Sequence, residues 1–290
     1  MSRRDAAIFI TLSAIWGSSF MFIKLGLLGG MGPLTLVMLR LLFGAASMAL
    51  LARKLGEHLP RSGRILGVIF IVALVNNTLP FSLITWGEQY IPSGLASILN
   101  STVPLFAVVI SHFTLSDERF SWSRVVGVTV GFVGVSILFA PDLFTHGLSG
   151  AVLGQLAIIL AALGYATGSV ITRKYLQGVS SATLSALQLS FALLWVTIPA
   201  LAWEKPWTMQ PTAQAWFSAL WLGLLGTGLA YLLFFQLIKS IGATPTTLVT
   251  YVIPIFAVVF GVIFLGEQLY WAQLAALTLI AVGVWLVNRR

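Results

Sequence analysis

The sequence predicts an all-α integral membrane protein of ten transmembrane helices, arranged as two inverted five-helix repeats with both termini cytoplasmic, and three observations predict it. Of 290 residues, 58% are hydrophobic and 8% charged, with a mean hydropathy of +0.98, a balance that leaves no ordinary water-facing surface. Pro104-Leu105-Phe106-Ala107-Val108-Val109 returns as Pro254-Ile255-Phe256-Ala257-Val258-Val259 150 positions later; Glu118, Trp122 and Gly134-Val135 return as Glu267, Trp271 and Gly283-Val284 149 positions later. Each copy of five spans crosses the bilayer an odd number of times, so the copies run in opposite senses. With both termini cytoplasmic, thirteen of the 16 Lys and Arg residues fall at the inner face and only Lys205 in an outer loop, as the positive-inside rule requires. One helix more or fewer would scatter them over both faces.

About 20 apolar residues cross a bilayer, and ten segments fit, five in a first repeat (1–142) and five in a second (149–290). The first, near 6–28, follows Arg3 and Arg4 like a secretory leader, but Trp16 and Ser18 have counterparts in Tyr165 and Thr167, so it belongs to the body of the protein. The second, 33–51, is largely apolar and contains Arg40. The third, 65–85, carries Asn77, Pro80 and Phe81. The fourth, 93–114, sets Ser97, Asn100, Ser101 and Pro104 on one face at helical spacing. The fifth, 124–140, contains Gly127-x-x-x-Gly131, which lets another helix approach closely, either in this chain or in a second protomer. The sixth, 149–172, holds Tyr165 and Thr167. The seventh, 180–202, is largely apolar. The eighth, 212–237, answers the third with Thr227 and Tyr231. The ninth, 243–265, answers the fourth with Thr247, Thr250, Tyr251 and Pro254. The tenth, 270–288, is again largely apolar.

Proline inside a span deletes a backbone hydrogen bond and bends the helix, so Pro80, Pro104 and Pro254 are candidate gating kinks, the last two at equivalent points. Any one Ser, Thr or Asn serves equally well in packing between helices. As a set, Trp16, Ser19, Arg40, Asn77, Phe81, Ser97, Asn100, Ser101, Tyr165, Thr227, Tyr231, Thr247, Thr250 and Tyr251 make a candidate substrate-binding constellation around a central cavity. Aromatic rings supply flat walls, and amides and hydroxyls fix polar ends. A dry aromatic core has the same sequence signature.

Lys24 and Arg40 are the charges within spans, both in the outer third. Each either snorkels to the interface or captures a substrate carboxylate, for which Arg40 is the deeper candidate. All eight Asp and Glu residues map to loops or span ends, and the three His lie at or near the faces. The midplane acid of a proton-coupled carrier is therefore missing, and facilitated, gradient-driven movement is expected, with Glu88 and His112 the remaining candidates for coupling. No G-x-x-x-x-G-K-[ST] loop, H-E-x-x-H or paired Asp/Glu/His set occurs, so no enzyme, catalytic residue, metal or cofactor is expected. The net charge of +8 is an orientation and lipid-headgroup signal and does not point to nucleic acid. The expected partners are a small-molecule substrate and the bilayer.

Trp16-Gly17-Ser18-Ser19-Phe20, the two Pro-[LI]-Phe-Ala-Val-Val segments and the turn acids Glu118 and Glu267 give a chain that resembles the drug/metabolite transporter superfamily, its EamA-type carriers and, among them, YddG-type exporters of aromatic and other neutral amino acids. The resemblance spans the whole chain. It implies a multi-pass secondary transporter of the cell inner (plasma) membrane that exports small metabolites by alternating access. A superfamily carrier of another metabolite or drug class, with proton coupling, shares the motifs, and a non-transporting membrane scaffold shares the apolar spans. The small four-span multidrug relatives place a glutamate in span one; this chain has none there, so their proton mechanism is not implied.

Overall fold

The computed structural model describes residues 1–115, 121–242 and 246–288. Asp117, Glu118, Arg119, Arg289, Arg290 and the first residues of the ninth segment lie outside them. Each segment is helical, and no strand occurs among the described residues. The helices are α1 (Arg3–Leu28), α2 (Pro33–Lys54), α3 (Gly63–Gly87), α4 (Ser93–Thr114), α5 (Trp122–His146), α6 (Gly150–Tyr175), α7 (Ser181–Glu204), α8 (Ala213–Ile241), α9 (Val249–Leu265) and α10 (Trp271–Asn288). Among the described residues nine are long and apolar enough to cross a membrane; α9, apolar and 17 residues long from Val249, is shorter.

Among the described residues three spans contain π turns, and one of these, Ala200–Glu204, ends α7. A π turn occupies Leu74–Thr78 in α3, and a longer one, Trp221–Leu229, includes the equivalent stretch of α8. A π turn inserts one residue and loosens the backbone ladder, a feature common at functional sites. The Thr78 hydroxyl donates to Ala192 O of α7 at 3.1 Å, and that of Thr227 donates to Leu222 O at 2.9 Å.

The matched prolines do not make matched kinks. α4 is broken into Ser93–Asn100 and Val103–Thr114, and Pro104 stands in the first turn of the second piece, where a missing N–H is tolerated. Pro254 lies inside an unbroken α9, and Pro80 opens the regular helix after the π turn. The difference has a local cause. The hydroxyls of Ser101 and Thr102 donate to Ile98 O and Leu99 O at 2.6 and 2.7 Å and support the break, whereas Tyr251 and Val252 stand at the equivalent points and offer no such short hydroxyl.

α2 packs along α7 and α5 along α10, while α1 lies against α8 and α9, and α6 against α3 and α4. α5 and α10 run antiparallel: Gly127 meets Gly283 and Val287, Gly134 meets Ala276 and Ile280, and the Ser123 hydroxyl donates to Leu286 O at 2.6 Å. The partner of the Gly-x-x-x-Gly motif is therefore within the chain. α1 and α9 touch at Gly17, where a Cβ would stand 2.6 Å from Phe256 Cβ and 2.9 Å from Ile253 O. Gly17→Ala is expected to cost about 1–3 kcal/mol by overpacking, read as a lower unfolding temperature in detergent. Gly67→Ala, where nothing lies within 4 Å, should not lower it, and equal temperatures for the two variants would count against the close approach.

Candidate functional site

A cavity of about 360 Å³ lies among α1, α3, α4, α6, α8 and α9, with Arg40 reaching in from α2. Trp16, Ser19, Phe81, Ser97, Asn100, Ser101, Tyr165, Thr227, Tyr231, Thr247 and Thr250 line it with Arg40, Pro104 and Pro254. Three of the expected residues do not. Asn77 is 1% exposed behind the wall, set against Tyr231 with its Oδ1 unpartnered, and its neighbour Asn76 lines the cavity instead. Tyr251 turns toward α10, where its hydroxyl accepts from Asn288 Nδ2 at 2.7 Å. Pro80 packs against Gly164 of α6. Sequence reasoning missed Phe20, Ile23, Asn76, Ile84, Ser169, Phe234 and Thr246; Phe20, Ile23 and Phe234 extend the helical stripes of Trp16 and Tyr231 by one turn and were findable from that spacing.

Arg40 is the cavity's charged point. It is 9% exposed, and so does not snorkel. Its Nε donates to Thr227 Oγ1 at 3.3 Å, and its guanidinium carbon stands 4.0 Å from the centre of the Phe81 ring, a cation–π contact in place of an ion pair. Among the described residues no carboxylate pairs with it, and no Asp or Glu lines the cavity. Tyr165 packs edge-on to Phe81 with ring centres 6.3 Å apart, and Tyr231 stacks on Phe235 at 5.9 Å. The result is a lone cation with spare N–H donors in an aromatic wall, suited to a carboxylate.

Elsewhere the wall offers acceptors. The hydroxyls of Ser97, Ser101 and Thr250 donate to Gly94 O, Ile98 O and Thr247 O of their own helices at 2.7, 2.6 and 2.8 Å, which leaves their lone pairs available. Asn100 Oδ1 is buried without a partner. A zwitterion with an apolar side chain finds a complement for each of its parts here.

The two ends of the cavity differ. At one end the lining runs out to exposed Thr247 and Ser169. Toward the other it stops at buried Ile23 and Ile84, and beyond them loops and helix ends are tied together. Glu204 accepts from Leu34 N, Thr35 N and Thr35 Oγ1, each at 2.8 Å. Glu267 accepts from Ser93 N and Gly94 N at 2.6 and 3.0 Å, and Thr212 N donates to Gly29 O at 2.9 Å. Lys24 does not snorkel either: its ammonium donates to Glu88 O and Ile91 O at 2.5 and 3.1 Å, neutralising the carbonyls at the end of α3. Glu88 lies at a span end, as its place in the sequence indicates, and is 0% exposed because neighbouring helices cover it.

The model of the EamA-like transporter family matches residues 5–140 and again 152–289. A probable terminal-alkyne amino-acid exporter of Streptantibioticus cattleyicolor is 27% identical over 291 residues, covering 100% of this chain and 95% of its own length. The uncharacterized inner membrane transporter YedA of Escherichia coli strain K12 is 29% identical over 281 residues, covering 96% of this chain and 88% of its own. A solved crystal structure superposes with a TM-score of 0.69 at 20% identity over 99% of this chain and 97% of that one, a likeness of fold.

Proposed function

Since the chain belongs to the EamA-like transporter family, we propose that it exports aromatic and other neutral amino acids across the inner membrane by alternating access of two inverted repeats, 1–142 and 149–290, with both termini cytoplasmic. It is a transporter and not an enzyme. The double family match supports two homologous halves. Their opposite sense is supported by α5 and α10, repeat equivalents that pack antiparallel, and their homology further by the π turns at equivalent points. In this reading the cavity's open end faces the cytoplasm, where an exporter loads its substrate.

The observation that carries the substrate class is Arg40, unpaired among the described residues, in an aromatic cavity that none of their acids lines. A lipophilic cation would meet like charge without compensation, which disfavours a cationic-drug carrier. A scaffold would need no polar cavity. A volume of about 360 Å³ is in the range of small-molecule sites. The cavity itself holds no acid, and downhill movement of substrate through it needs none. Candidate binding residues are those of the lining, with Arg40 on the carboxylate and the rings of Trp16, Phe81, Tyr165 and Tyr231 on the side chain.

The test is counterflow in proteoliposomes with labelled amino acids, sugars and lipophilic cations. Neutral aromatic amino acids are expected to exchange and lipophilic cations not to; the reverse pattern sinks the reading. Because the chain has no cysteine, Ser97→Cys, Asn100→Cys and Thr250→Cys report water access directly. Aqueous thiol reagents should label the half-buried Asn100 and Thr250 positions, with Ser97, 1% exposed, slower, and exclusion from all three would favour a scaffold.

A further inference from the structure

Glu88 stands just beyond α3, one turn past the cavity-lining Ile84, whose carbonyl accepts its N–H at 2.9 Å. Among the described residues neither carboxylate oxygen has a hydrogen-bond partner. Three charged groups lie within electrostatic range: Lys24 on α1, Glu267 in the turn after α9, and Arg40 on α2. None of them hydrogen-bonds to its carboxylate; Lys24 reaches the backbone carbonyl of Glu88 instead. The Lys24 ammonium is engaged by two carbonyls, and Glu267 is occupied with Ser93 N and Gly94 N. From α6 the facing stretch brings Gly154 and Ile158 against Gly87 and Ile91. Its neutral Gln155 donates to Asp142 Oδ2 of α5 at 2.5 Å.

A charged carboxylate enclosed without donors is strongly disfavoured, and taking up a proton removes the penalty. We propose that Glu88 is a proton-binding site that links closing of this end of the transporter to proton uptake. The proposal rests on the carrier reading, in which this end opens to release substrate. The acid belongs to the gate and not to the substrate cavity, so a substrate can move down its own gradient while the proton sets how readily the gate opens.

The direction follows from which state holds the proton. Burial pushes the Glu88 carboxyl well above the ordinary carboxylate range, opposed in part by Lys24, while water restores a lower value once the end opens. The closed state therefore binds more protons. Falling pH favours closure and rising pH favours opening, by up to about tenfold per pH unit for one proton.

Two single-cysteine variants read this without any substrate: Ile91→Cys, at a side chain 2% exposed, and Tyr90→Cys, at one 47% exposed. Labelling by a membrane-impermeant maleimide is measured for both in proteoliposomes, and the ratio of rates cancels the titration of the thiol. The ratio is expected to rise severalfold to about tenfold per pH unit through its transition. In the Glu88→Gln background it should stay low at every pH, and Glu88→Met should behave alike should the Gln variant fail to fold. A pH-independent ratio in the otherwise native chain, or an unchanged titration in a folded Glu88 variant, overturns the proposal. Counterflow on the same vesicles separates the two readings. Amino-acid exchange without the switch refutes the proton site alone, and the switch without exchange of any amino acid supports the site while refuting the substrate class.

Discussion

Arg40→Gln is expected to lower counterflow of neutral amino acids about 10- to 100-fold, the loss of a charge-assisted hydrogen bond to a carboxylate worth about 1.5–3 kcal/mol. Amides of the same amino acids should move no more slowly than in the native protein, because they lack the carboxylate and the variant removes a cation that repels their ammonium group. Arg40→Lys keeps the charge but loses the planar fork and should fall between. The variant also separates binding from architecture. Arg40 is buried against Phe81 and Thr227 with no anionic partner among the described residues, and an unpaired buried cation lowers the stability of a fold. Arg40→Gln is therefore expected to unfold at the same temperature as the native chain or higher. Equal loss for acids and amides, together with a lower unfolding temperature, would reduce Arg40 to a packing residue.

Composition, repeat and charge asymmetry made the ten helices legible, because lipid permits few solutions for a chain this apolar. The cavity was legible where a polar stripe follows regular helical spacing, as in Ser97, Asn100, Ser101 and Pro104. It was misread by one residue where spacing changes. Asn77 stands four residues before Phe81 and would share its face in an α-helix. The π turn at Leu74–Thr78 adds a residue, so Asn76, five before Phe81, takes that place. Nothing in the local sequence announces the π turn. Tyr251 failed for another reason: it shares the stripe of Thr247, Thr250 and Pro254, but Asn288 from the last helix holds its hydroxyl. Arg40 and Glu88 were visible as residues, but their burial comes from tertiary packing, which places an aromatic wall over one and α1 and α6 over the other.

Removing Glu204 or Glu267 should unlatch the closed end. Neither α2 nor α4 has a side-chain cap of its own: Gly32 and Pro92 stand at their N-cap positions and make no side-chain bond there. The missing acceptors come from the other half of the chain, Glu204 to Leu34 and Thr35, Glu267 to Ser93 and Gly94. A carboxylate at a helix N-terminus satisfies free N–H groups and meets the positive end of the helix dipole. With charge-assisted hydrogen bonds, each is worth about 1.5–3 kcal/mol. Opening this end must break both, so Glu204→Ala or Glu267→Ala should each raise the open-to-closed ratio roughly tenfold to a hundredfold. A cysteine at Met31, 3% exposed, reports it: maleimide labelling should quicken by that factor in either variant, and more in the pair. Glu57→Ala, at an exposed acid whose side chain makes no hydrogen bond or ion pair among the described residues, serves as the control and should leave the rate unchanged. Protection of Met31→Cys undiminished in both gate variants would mean that the two carboxylates cap helices without holding the halves together.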